Sequence, residues 1–303
     1  MTNTSVIAVK GLTKKYAGVA AVDNVDFTIT KGEIVGFVGL NGAGKSTAIN
    51  ILLGFLNPTA GKVSLFGEPL TPQNAHNSHH RIGFATGDMS LFDSMTGHQY
   101  HSFIARAYGL TDMTAYKALC LRFDPDLDKK ISLLSRGNKQ KIALIAAFMT
   151  QPELVILDEP SSGLDPLMQQ YFLELIREET EKGTTIFMSS HYLNEVIDVC
   201  SRILLIKKGR LTKDIPTSEL GMAAGKLVRV ITTRQVEPPK SARSVERQKQ
   251  ADGYILEFIY KDKVIRLQEW VTSLPNLQDI AITEHDPEAT FEDLYNEKAN
   301  NDV

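Results

Sequence analysis

Apolar residues in this chain fall into short unbroken runs and alternating stretches, separated by a long segment of helical spacing. That mixture predicts an α/β protein. Val6–Lys10 and Val22–Ile29, the latter with Val22, Val25, Phe27 and Ile29 apolar, read as half-buried strands. Ile34–Val38 and Leu154–Asp158 are nearly continuous apolar runs, the pattern of a strand covered on both faces. Lys62–Phe66, Arg81–Ala85, Thr184–Met188 and Ile203–Ile206 read as further strands, and Thr47–Leu53 and Tyr171–Lys182 as helices. Asn57–Gly61 is turn-like, and Pro72–His80 is polar and reads as a loop. From Asp93 to about Thr150 the spacing is helical. Phe103, Ile104 and Tyr108 share one predicted face, and Ile142, Ile145, Ala146 and Met149 another, so a helical insertion within the α/β domain is expected.

The pattern changes near residues 217–221. Beyond them, Leu227–Thr232, Tyr254–Tyr260 and Ile280–Thr283 read as strands. Asp262–Leu274 reads as a helix with Val264, Leu267, Val271 and Leu274 on one face. Asp286–Pro287 has the form of a cap and first turn before Phe291, Leu294 and Tyr295. Arg234–Gln250 is polar and Pro-containing, and is expected to be a loop. Two domains are therefore predicted: residues 1–217, with the helical insertion at about 88–150, and a small α+β domain at residues 218–303.

Composition narrows the functional classes. The 303 residues are 43% hydrophobic and 23% charged, as expected for a globular protein with a sizeable core. The net charge of −3 gives no basic field of the kind that attracts nucleic acid, and no nucleic-acid partner is expected. No apolar run reaches the roughly 18 residues of a membrane-spanning helix. Met1–Ser5 lacks a basic and an apolar segment, so no signal peptide is expected. Cys120 and Cys200 are too few for a disulfide framework and read as reduced thiols.

The chemistry concentrates between strands and the helices that follow them. Gly39-Leu40-Asn41-Gly42-Ala43-Gly44-Lys45-Ser46-Thr47 fits G-x-x-x-x-G-K-[ST], between a predicted strand and a predicted helix. Glycines at 39, 42 and 44 let the backbone curl so that N–H groups point at phosphate oxygens, and the helix N-terminus adds its dipole. Lys45 is placed to reach the β/γ-phosphates, and the Ser46 hydroxyl to ligate Mg²⁺. Asp158 and Glu159 end an apolar strand, where ligands bind in an α/β sheet. An aspartate there can support Mg²⁺, and a glutamate can polarise an attacking water. His191 ends another strand at the same predicted edge. Tyr16, in a basic segment upstream of the loop, is a candidate for stacking on a base. His76, His79, His80, His98 and His101 raise the question of a metal site, but without cysteines they read better as solvated loop residues.

These motifs, in this order, resemble the nucleotide-binding subunit of ATP-binding cassette (ABC) transporters, over residues from about 5 to 215. Tyr16 falls where that family has its adenine-stacking aromatic, and Gly39–Thr47 is its Walker A loop. Leu134-Ser135-Arg136-Gly137-Asn138-Lys139-Gln140-Lys141 resembles the LSGGQ signature. Leu154–Glu159 matches Walker B with its following glutamate, Ser162–Asp165 the D-loop, and His191 the switch histidine. The resemblance implies a P-loop NTPase fold: a RecA-like core with an antiparallel β subdomain and a helical subdomain. It implies ATP and Mg²⁺ as ligands, with Tyr16, Gly39, Asn41, Gly42, Ala43, Gly44, Lys45, Ser46 and Thr47 around the nucleotide. Glu159 and His191 would be catalytic, and Ser46 and Asp158 would serve Mg²⁺. Two cassettes, identical or paired, would associate head to tail, so that Ser135 and Gly137 of one contact the γ-phosphate held by Lys45 of the other.

The resemblance further implies an integral-membrane permease docked near residues 84–108, and a peripheral location on the cytoplasmic face of the membrane. A non-transport ABC ATPase, regulating another machine by nucleotide-dependent binding, is the alternative. Two departures stand out. The signature's first glycine is Arg136, which would add positive charge near the nucleotide, and its glutamine is Asn138. The family's Q-loop glutamine aligns with Gly87, leaving neighbouring Asp88 as the substitute metal ligand. The segment Gly87-Asp88, Leu91-Phe92 and Met95-Thr96-Gly97, with the added C-terminal domain, resembles the ABC-2 type drug and antibiotic exporters.

Overall fold

The computed structural model describes residues 4–87, 91–219, 225–250, 253–274 and 276–284. The chain divides into two units, Met1–Asp214 and Ile215–Val303.

The first unit holds two sheets. β1 (Ser5–Tyr16), β2 (Val19–Thr30), β4 (Ala60–Leu65) and β5 (Glu68–Pro69) form a four-stranded antiparallel sheet in the order β2-β1-β4-β5. β1 runs past the expected Val6–Lys10 because Gly11, at φ 59°, lets the strand shift register and continue. The Gly11 N–H is kept satisfied by the Asp26 carboxylate at 2.9 Å. The second sheet has the order β10-β9-β3-β8-β7-β6, from β3 (Ile34–Val38), β6 (Ile82–Thr86), β7 (Leu154–Asp158), β8 (Thr185–Ser190), β9 (Arg202–Lys207) and β10 (Arg210–Pro216). β9, β3, β8, β7 and β6 are mutually parallel. Every residue of β3, β7 and β8 is buried, which is why β3, and β7 up to its final Asp158, read as continuous apolar runs. The rings of Phe27, Phe37 and Phe187 meet at 5.3–6.1 Å and join β2 to the parallel sheet.

Helices complete the unit: α1 (Lys45–Leu52), α2 (His76–His79), α3 (Gly97–Ala107), α4 (Thr114–Phe123), α5 (Arg136–Phe148), α6 (Pro166–Glu181) and α7 (Leu193–Val199). The expected polar loop at Pro72–His80 thus contains one helical turn. α3 starts on a reciprocal cap between Thr96 and Gln99. Its buried residues are Gly97, Tyr100, His101 and Ala105, whereas Phe103 and Tyr108 are exposed. The face expected to bury Phe103 and Tyr108 therefore lies outside the core, and aromatic contacts hold it: Phe92 meets Phe103 at 5.5 Å and Tyr100 at 6.0 Å. On α5, Ile142, Ile145, Ala146 and Met149 are buried as their spacing requires.

The second unit holds a four-stranded antiparallel sheet of order β12-β13-β11-β14 and the helix α8: β11 (Lys226–Thr232), β12 (Ala242–Gln250), β13 (Gly253–Tyr260), α8 (Val264–Thr272) and β14 (Leu277–Glu284). Val228, Val230, Leu256, Phe258, Tyr260 and Leu267 form its core. Of the face expected on α8, Leu267 is buried and Val271 and Leu274 pack against the core, but Val264 is exposed. The expected loop at Arg234–Gln250 is corrected in its second half. Residues 242–250 pair with β13 as an edge strand, exposed at nearly every position, and so lack the apolar alternation that marks a half-buried strand. Asp286, Pro287, Phe291, Leu294 and Tyr295 lie outside the described residues.

Candidate nucleotide site

Parallel pairing brings the ends of β3, β8 and β7 level, with Val38 opposite Ser190 and Ser189 opposite Asp158. The Gly39–Thr47 loop, Glu159 and His191 therefore leave the same edge of the sheet. The loop's glycines answer to specific close approaches. A Cβ at Gly39 would stand 2.5 Å from the Ile206 carbonyl oxygen, and one at Gly44, whose φ is 110°, 2.3 Å from that of Ala21. Gly42, at φ 79°, faces open space. Gly44 caps α1 without a side chain, so the first-turn N–H groups have no side-chain acceptor there and suit an anion. Ala43 is buried, and Asn41 and Ser46 are exposed.

Lys45 is only 5% exposed, and its Nζ donates to the Gly39 carbonyl oxygen at 2.6 Å. The same ammonium lies 3.3 Å from Glu159 Oε1, while Glu159 Oε2 lies 2.6 Å from His191 Nδ1. Lysine, glutamate and histidine thus form one continuous chain, and the carboxylate is aimed at the phosphate loop. Glu159 sits in the left-handed region at φ 52°, a conformation that costs about 1–2 kcal/mol for a residue with a Cβ. Its N–H is held by the Ser189 carbonyl and hydroxyl, both at 3.1 Å. Asp158 is buried and accepts a hydrogen bond from Ser189 Oγ. Beneath these groups Glu195 accepts from Ser161 Oγ at 2.8 Å and Ser190 Oγ at 3.2 Å, fastening the segments that carry Glu159 and His191. Burial raises the Glu195 carboxyl above the usual carboxylate range, and the two serine hydroxyls work against that rise.

Tyr16, the last residue of β1, is 47% exposed, with Lys14 Nζ 5.3 Å from its ring centre. Ser135 caps α5 and accepts from the Asn138 N–H at 3.4 Å. Gly137 packs so closely on the D-loop segment that a Cβ would meet the Gly163 carbonyl oxygen at 2.7 Å. The described contacts of Ser135 and Gly137 are with Asn138 and Gly163 rather than with Gly39–Thr47. Asp88 lies outside the described residues. The Arg136 guanidinium donates to Ser162 Oγ at 2.8 Å within its own chain. The histidines do not converge. His101 is buried against the Ile142 carbonyl oxygen at 3.0 Å, and His79 contacts the Leu53 carbonyl oxygen at 2.9 Å. Among the described residues no group of three or more His, Cys, Asp or Glu side chains is arranged to hold a metal ion. The clamp made by Glu195 was not visible from spacing, because Ser161 lies 34 residues away and only the fold brings it to the carboxylate.

The ABC transporter family model matches residues 22–162. A bacitracin transport ATP-binding protein of Enterococcus faecalis is 32% identical over 272 residues, covering 89% of this chain and 86% of its own length. The chain belongs to the ABC transporter ATP-binding proteins. A probable multidrug ABC transporter ATP-binding protein of Escherichia coli is 35% identical over 212 residues, 68% of this chain but 36% of that longer relative. A Nod factor export ATP-binding protein of Burkholderia pseudomallei is 34% identical over 65% of this chain and 66% of its own length. A solved ATP-binding subunit of an ABC transporter superposes with a TM-score of 0.66 at 30% identity, over 71% of this chain and 91% of that one. The α/β cassette fold expected from the sequence is therefore observed. The expected class, an ATP-binding protein of the ABC transporter family, agrees with these relatives.

Proposed function

We infer that this ATPase subunit powers export through a separate integral-membrane permease, bound peripherally at the cytoplasmic face of the membrane. The observation that carries the reading is the chain Lys45–Glu159–His191 at the mouth of a loop of backbone N–H groups. In this reading the loop from Gly39 to Thr47 holds the ATP phosphates, and Tyr16 stacks on the adenine. Lys45 exchanges the Gly39 carbonyl and Glu159 for the β- and γ-phosphates. Glu159, released from Lys45, accepts a proton from the attacking water. His191 keeps that carboxylate oriented through Nδ1, which leaves Nε2 for the γ-phosphate. The oxygen donors at the loop suit Mg²⁺: the exposed Ser46 hydroxyl and the Asp158 carboxylate behind it. Bound there, the ion would neutralise charge building on the β- and γ-phosphates.

Two cassettes close head to tail, with Ser135 and Gly137 of one reaching the phosphates held by the other. The capped N-terminus of α5 supports this, since it offers N–H groups to an anion yet makes its described contacts away from its own phosphate loop. The relative that serves Nod factor export supports outward transport. No helix among the described residues is long and apolar enough to cross a membrane, which fits a permease supplied by another chain. Phe55, Phe84, Tyr100, Ile104 and Tyr108 line a cleft of about 180 Å³, and exposed Phe103 lies on α3 with exposed Phe92, from the segment before that helix, against its ring at 5.5 Å. This apolar surface is the permease contact. The test is co-expression with a candidate permease, a membrane protein of several apolar spans whose gene neighbours that of this chain. Co-purification and faster ATP turnover are expected, with both effects lost in Phe103→Asp at unchanged basal turnover. A subunit that neither binds nor responds to that protein would refute the reading.

A further inference from the structure

Two of the three positions that depart from the family's motifs, Gly87 and Arg136, meet in space. The Arg136 guanidinium donates to Ser162 Oγ at 2.8 Å and approaches the Gly87 carbonyl oxygen at 3.5 Å. Its stem lies against Gly163, where an added Cβ would meet Arg136 Cγ at 3.0 Å. The backbone continues the connection inward. The Ser162 N–H donates to the Glu159 carbonyl oxygen at 3.2 Å, and the Gly87 N–H to that of Asp158 at 2.8 Å. One side chain on the first turn of α5 thus fastens the signature segment to the loop carrying Asp158 and Glu159.

We propose that Arg136 is a positioning residue that couples the signature of this chain to its own Glu159, taking over the connection that a side chain at position 87 cannot make here. The proposal rests on the head-to-tail reading, in which Ser135 and Gly137 serve the ATP of the other cassette. When they engage that phosphate, α5 moves as a rigid rod, and Arg136 transmits the movement to Ser162 and so to Glu159. ATP capture at one site then sets the carboxylate at the other. A charged hydrogen bond holds the connection, so its loss is felt in catalysis rather than in nucleotide affinity.

A double-mutant cycle tests this on the full chain. Arg136→Gly and Ser162→Ala are each expected to lower kcat about 10-fold with KM for ATP changed less than about 2-fold, as for one charged hydrogen bond lost only from the catalytic geometry. The double variant should be no slower than either single one, and the Hill coefficient for ATP should fall towards that of independent sites in all three. Arg136→Lys, which keeps the charge but not the planar fork, should recover part of the rate and of the cooperativity. Multiplying effects in the double variant, or Arg136→Gly and Ser162→Ala both turning over like the parent, would overturn the proposal. ATP-driven dimerisation of Glu159→Gln, measured in parallel, separates the two failures. If that dimer forms and the cycle is additive, only the coupling through Arg136 fails. If no dimer forms, the head-to-tail reading fails and takes the coupling with it.

Discussion

Restoring the family's glutamine at position 87 should damage this protein rather than improve it. A Cβ at Gly87 would stand 2.6 Å from the Glu159 carbonyl oxygen and 2.8 Å from Ser162 Cβ. The first neighbour is backbone, and it belongs to the residue with the most demanding conformation in the site, Glu159 at φ 52°. Relief requires β6 to withdraw from β7, which stretches the 2.8 Å bond from the Gly87 N–H to the Asp158 carbonyl oxygen. Overpacking of this kind costs about 1–3 kcal/mol. At about 2 kcal/mol, a unit of this size should melt about 4–8 °C lower. A displacement of the Glu159 backbone approaching 1 Å would slow turnover about 100-fold. Differential scanning calorimetry and steady-state ATP hydrolysis of Gly87→Ala and Gly87→Gln measure both effects. Alanine should already show most of the melting shift, because the clash begins at Cβ. A glutamine variant that melts within about 1 °C of the parent and hydrolyses ATP faster would refute the argument, since the close approach would then be soft.

Lys45→Ala should weaken ATP binding by about 10- to 100-fold, the loss of charged hydrogen bonds to phosphate; isothermal titration would show it, and unchanged affinity would contradict the proposed pocket. His101 gives a prediction in pH. Burial pushes its imidazole down to about 4, against a partly compensating hydrogen bond to the Ile142 carbonyl. The unfolded chain therefore binds a proton at about pH 6.5 that the folded chain refuses until about pH 4. Stability is complete above about 6.5 and declines as pH falls through that window, by at most about 3 kcal/mol from this residue. His101→Phe should flatten the melting temperature between those pH values, and an equally steep profile in the variant would assign the loss to other groups.

The phosphate loop was legible because its residue types are dictated locally. A Cβ at Gly39 or Gly44 would meet a backbone carbonyl oxygen at 2.5 or 2.3 Å, so no other residue fits, and that necessity is visible in one short stretch of sequence. The buried strands β3 and β7 were legible for a similar reason, since burial on both faces leaves an unbroken apolar run. β12 was not, because an edge strand is held by backbone pairing and its side chains record only solvent. Nor was the extension of β1, which depends on one glycine's positive φ and a carboxylate 15 residues away. The aromatic spacing on α3 revealed a helix but assigned the wrong residues to the core, as periodicity does not distinguish a buried face from an exposed apolar one. Arg136 and Gly87 each appeared in sequence as an isolated departure. They lie 49 residues apart, and only the fold shows the guanidinium reaching both Gly87 and Ser162.

In the proposed function, two copies of this site close on ATP and Glu159 opens them again by hydrolysis. The most direct measurement is the solution mass of Glu159→Gln by light scattering, with Mg²⁺–ATP and with Mg²⁺–ADP. Glutamine keeps the shape of the side chain but removes the base, so turnover should fall by about 100-fold or more and the bound ATP should persist. The account predicts a doubled mass with ATP, the monomer mass with ADP, and no doubling with either nucleotide once Lys45→Ala is added. A variant that binds ATP and stays monomeric, or one that dimerises equally with ADP, would contradict it.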